Sequence, residues 1–84
     1  MAVNIACQLT FCPIGVADYN HQIKRVLALI THSGLCAEVG AMSTIIRGES
    51  AEVLRLIEQI VQMQAQDGLR YTMNLAISNT CGCT

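Results

Sequence analysis

From Val3 the chain alternates, with Val3, Ile5, Cys7, Leu9 and Phe11 on one side and Asn4, Ala6, Gln8 and Thr10 on the other. A period of two is the mark of a half-buried strand, and Pro13 with Gly15 is expected to stop it. The period then changes. Ile23, Val26, Leu27 and Ile30 recur at helical spacing behind Asp18, a good capping residue, and Gly34 suits the left-handed position that closes a helix. Residues 36–42 and 43–48 read as two further strands, the second strongly β-branched, with the break somewhere between Gly40 and Ser43. Ser50 is placed to cap a second helix with an apolar stripe of Val53, Leu54, Ile57, Ile60, Val61 and Gln64, ending at Gly68. A last strand over 71–78 sets Tyr71, Met73, Leu75 and Ile77 against Thr72, Asn74, Ala76 and Ser78.

The order β-α-β-β-α-β is the split βαβ plan of a ferredoxin-like α+β sandwich. Right-handed crossovers then set both helices on one face of an antiparallel sheet of order 4-1-3-2. No linker or low-complexity tract divides residues 1–84, so one domain is expected. The sheet face away from the helices carries Asn4, Ala6, Gln8 and Thr10 beside Thr72, Asn74, Ala76 and Ser78, with hardly a charge. Such a face suits packing on another sheet or holding a neutral ring, and it equally suits plain hydration.

Composition sharpens this picture in one respect. Hydrophobic residues make up 52% of the chain and charged ones only 13%, so burial of part of the surface against a second subunit is expected. A net charge of −1 offers no basic footprint for nucleic acid. The N-terminal residues lack the basic region of a signal peptide, and no apolar run approaches the roughly 18 residues of a membrane span, so a cytoplasmic protein without membrane insertion is expected. The five cysteines are an odd number without framework spacing, in keeping with a reducing compartment.

Few residues promise covalent chemistry. Cys12, Cys81 and Cys83 are soft ligands, but no Cys-x-x-Cys pair follows the first strand, and structural or incidental thiols are the favoured reading over a metal. His21 and His32 lie about three helical turns apart and cannot share a metal. Asp18, Glu49 and Glu52 read first as helix-start charges, although Asp18 with Tyr19 also offers a carboxylate and an aromatic face to a cation. Arg47 reads as a partner of Glu49 or a solvated group, with an anion anchor as the alternative. Ser43 and Thr44 stand apart from these, because hydroxyls at the start of a β-branched strand are held by the sheet and grip a small polar ligand with little ordering cost.

The sequence also resembles a known family. Cys7, Thr10 and Pro13, then Asp18-Tyr19, then Ser43-Thr44 with Arg47-Gly48, then Ser78 and Cys81 are similar to the pattern of the YkoF-type thiamin- and hydroxymethylpyrimidine-binding proteins. Ser-Thr-x-x-Arg-Gly is the most specific element. The resemblance implies a ferredoxin-like fold and a non-catalytic binder of thiamin or its pyrimidine precursor, with neither cofactor nor metal. Because the YkoF type fuses two such domains, it also implies a homodimer or homotetramer here. The candidate ligand-binding set is Ser43, Thr44, Thr10, Phe11, Cys12, Asp18, Tyr19 and Asn74. Hydroxyls, an amide and strand backbone groups can satisfy the donor and acceptor edge of an aminopyrimidine without net charge. A small dimeric enzyme of the same topology and an amino-acid-sensing module are the rival expectations, with thiol-based metal handling a third.

Overall fold

The computed structural model describes residues 3–15, 17–40 and 43–79. Its elements are β1 (Asn4–Ile14), α1 (Tyr19–His32), β2 (Cys36–Val39), β3 (Thr44–Glu49), α2 (Ser50–Gln66) and β4 (Arg70–Ser78). All sheet pairings are antiparallel and the strand order is β2-β3-β1-β4, which is the ferredoxin-like α+β arrangement expected from the pattern of periods.

The core lies between the sheet and the helices. Ile5, Cys7 and Leu9 of β1 and Ile46 of β3 meet Val26 and Ile30 of α1 and Val53, Leu56, Ile57 and Ile60 of α2 in one buried cluster. Burial pushes the Cys7 thiol pKa up, so this cysteine behaves as a small core hydrophobe. At Gly48 an added Cβ would stand 2.9 Å from Leu35 Cδ2, and glycine there lets the chain after α1 pack closely on β3.

Several boundaries differ from the expected ones, each for a local reason. Pro13 does not stop β1. Pairing with β3 ends at Leu9, so among the described residues β4 is the only strand beside β1 by Pro13, and a missing N–H is tolerated at a strand with one open side. Ser50 is the first residue of α2 and not its cap. Glu49 holds the cap position without a side-chain bond, and β3 runs straight into the helix with the Ser50 N–H donating to the Val3 carbonyl at 2.7 Å. The α2 stripe is also rotated from the expected one: Leu56 is buried, whereas Leu54 and Val61 are exposed. Arg47 faces Glu38 across the β2–β3 pair at 3.8 Å, and Glu49 is not its partner.

Asp18 caps α1 as expected, its carboxylate accepting from the His21 N–H at 3.0 Å, and Gly34 beyond the other end takes a φ of +79°. Asp18→Ala should therefore cost about 1 kcal/mol of stability, measured as a fall in the urea midpoint. An unchanged midpoint would remove the cap from the account of α1.

Candidate functional site

A length mismatch between neighbouring strands creates the site. β1 has 11 residues and β3 has 6, and their pairing stops at Leu9↔Thr44. Just before β3 the Gly40 N–H donates to the Ser43 carbonyl at 2.8 Å. β1 continues alone beside β4. The first turns of α1 pass over the gap, leaving a cleft of about 350 Å³. That volume lies at the small end of the range for sites that hold small organic ligands.

Each wall follows from an element already described. Leu9 and Phe11 supply sheet residues from the helix-facing row of β1, and Ile23, Val26 and Leu27 supply the underside of α1. Val39, Gly40, Ser43 and Thr44 form the rim at the β2–β3 connection, and Thr10 with Cys12 completes the lining along β1. Phe11 is braced from behind by Tyr71 of β4, their rings stacked with centroids 5.6 Å apart. No lining residue carries a formal charge.

The hydroxyls differ in what they already do. Ser43 Oγ accepts a hydrogen bond from Gln8 Nε2 at 3.2 Å, which ties the rim of the cleft to the open face of the sheet. Thr44 is only 5% exposed as a residue, and its hydroxyl bonds to no other described side chain or backbone group, but its oxygen is not among the buried polar atoms left without a partner, which are Arg47 Nε and Gln64 Nε2, so it stays reachable from the cleft. In this cleft it can bond to water or to a guest atom.

Of the residues singled out in the sequence, Thr10, Phe11, Cys12, Ser43 and Thr44 come together around the cleft. Asp18 lies outside the lining and its carboxylate is engaged at the α1 cap. Tyr19 opens α1, and its side chain is outside what the structure describes. Asn74 pairs with Thr10 across β1 and β4 and is exposed. Cys81 and Cys83 fall outside the described residues. Among the described residues no group of three or more His, Cys, Asp or Glu side chains is placed to hold a metal ion. None of the described helices is long and apolar enough to cross a membrane.

Sequence reasoning assigned Ile23, Val26 and Leu27 to the core and gave no role to Val39 or Gly40, although all five line the cleft. The available signal was the unequal length of the first and third strands. It was hidden by the expectation that Pro13 ends the first.

Comparison with known proteins gives a consistent placement. The model of the YKOF-related Family matches residues 4–84. No curated protein sequence matches. Among solved structures, the chain is similar to a Thermotoga maritima protein provisionally assigned to thiamine biosynthesis or salvage, with a TM-score of 0.81 and 21% identity over 94% of this chain and 86% of that one. A domain of unknown function from Bacillus cereus aligns with a TM-score of 0.81 and 22% identity, covering 100% of this chain and 85% of that one. A hypothetical protein from Methanocaldococcus jannascii aligns at 0.80 and 20% identity, covering 96% and 84%. At these identities the structural matches speak to the fold.

Proposed function

Because the chain belongs to the YKOF-related family, we propose that it is a non-catalytic binding protein for hydroxymethylpyrimidine or thiamin. It holds the pyrimidine ring in the cleft between β1, β3 and α1, and it serves uptake, salvage or buffering of these compounds in the cytoplasm. The observation that supports this reading is the Thr44 hydroxyl, reachable at the rim of an uncharged and largely apolar cleft. An aminopyrimidine has flat apolar faces for Leu9, Phe11 and Ile23 and a polar edge for the Thr44 hydroxyl. The assignment of the Thermotoga maritima relative to thiamine biosynthesis or salvage supports the same ligand class.

The uncharged lining also orders the candidates. A cationic thiazolium would find no carboxylate among the cleft residues, so in thiamin that ring points toward solvent and adds little to affinity. Calorimetric titration should therefore show binding of both compounds, with hydroxymethylpyrimidine no weaker than thiamin. Absence of heat with either compound would end the proposal, and saturable binding of free amino acids in their place would favour the sensing module. The low charge content further supports self-association of the chain.

A further inference from the structure

The geometry points to the main chain of Phe11 as the group that selects the guest. Its N–H donates to a ring nitrogen and its C=O accepts from the neighbouring exocyclic amino group, so the heterocycle takes the place of the strand missing beside β1. This inference rests on the cleft being the pyrimidine site, and it names the chemistry by which that site chooses its ring.

The direction of the main-chain groups follows from one hydrogen bond. In an antiparallel pair, residues that exchange hydrogen bonds with the residue opposite alternate with residues that do not, and the latter turn their groups to the other neighbouring strand. Val3 continues the β1–β3 register opposite Ser50, and the Ser50 N–H donates to its carbonyl at 2.7 Å. Odd-numbered residues of β1 therefore point their N–H and C=O toward β3, and even-numbered ones toward β4. Pro13 agrees with this parity. Its missing N–H falls on the β3 side, and the ladder with β4 runs past it unbroken to Ile14↔Arg70.

Leu9 is the last odd-numbered residue with a partner in β3, namely Thr44. Phe11 is the next, and among the described residues nothing pairs with its N–H or C=O on that side. Both groups point into the gap that the cleft occupies, and Phe11 and Thr44 are both part of its lining. An unpaired strand edge is a template for whatever presents complementary groups. The N–H and C=O of one extended residue lie side by side, as do an acceptor nitrogen and an amino group on the edge of an aminopyrimidine. The two bonds form together and hold the ring in line with β3. A ring without the amino donor leaves the Phe11 carbonyl unpaired, a distinction that the apolar walls cannot make.

Amide hydrogen exchange and heteronuclear NMR of the full chain test this, with hydroxymethylpyrimidine as the probe. In the free protein the Phe11 amide should exchange faster than those of Leu9 and Cys12, which pair with β3 and β4. Saturation with the pyrimidine should slow it and shift its resonance. An analogue carrying a methyl in place of the ring amino group should bind about tenfold more weakly, the loss of one hydrogen bond. A Phe11 amide already slow in the free protein, one unmoved at saturation, or an analogue as tight as the parent compound would overturn the role of Phe11 and leave the reading of the cleft standing. Failure of the pyrimidine to bind at all would overturn that reading, and this inference with it.

Discussion

Ile46→Ala should remove about 2–5 kcal/mol of unfolding free energy. The side chain is fully buried at the middle of β3, paired with Cys7 on one side and Ala37 on the other, within the cluster that joins both helices to the sheet. Its neighbours are themselves fixed by strand pairing and helix packing and cannot close the void, so the cavity cost adds to the lost transfer energy. Domains of this kind have only about 5–15 kcal/mol in total, and the variant should sit near the edge of folding at physiological temperature. Urea denaturation would show it as a lower midpoint with an unchanged slope. Ile46→Val, which deletes one methylene, should cost about 0.5–1.5 kcal/mol. Equal midpoints for the parent and the alanine variant would mean that this strand is not part of the cooperative core.

Thr44→Val should weaken pyrimidine binding by about tenfold, since a hydrogen bond between uncharged groups contributes on the order of 0.5–1.5 kcal/mol. The substitution keeps the shape of the side chain and removes only the hydroxyl. Among the described residues that hydroxyl has no hydrogen-bond partner to lose, so thermal stability should be unchanged or slightly raised. The combination is diagnostic, because a structural threonine would lose stability and a binding threonine loses affinity. Calorimetry that gives the same affinity for both proteins would take Thr44 out of the contact set.

Much of the architecture was legible from periodicity alone. The alternations in the first and last strands, the helical spacings, Asp18 and the glycines at 34 and 68 all act within a few residues of themselves, and local physics suffices to read them. What escaped depends on neighbours distant in sequence. Pro13 could remain in β1 because β3 had already ended, and Leu54 fell outside the core because the helical layer does not reach β4. Ser50 lost its capping role because β3 enters α2 without a loop. The cleft followed the same division: its hydroxyls were visible as residue types, whereas its walls and its very existence depend on where β1 and β3 part company. Asp18 illustrates the limit, since a carboxylate near a loop can serve a ligand or a helix end and only tertiary placement separates the two.

The cavity exists because one strand outlasts its neighbour, and that makes its size adjustable by simple insertion at the β2–β3 connection. Two added residues would let β3 zip further along β1, keep the alternation of faces and fill the void with backbone. A single added residue would instead be taken up within the connection, because the buried face of β3 fixes its register on β1. Proteins sharing this scaffold could thus gain, lose or retune a binding compartment by indels in one short connection, with the hydrophobic interior left intact.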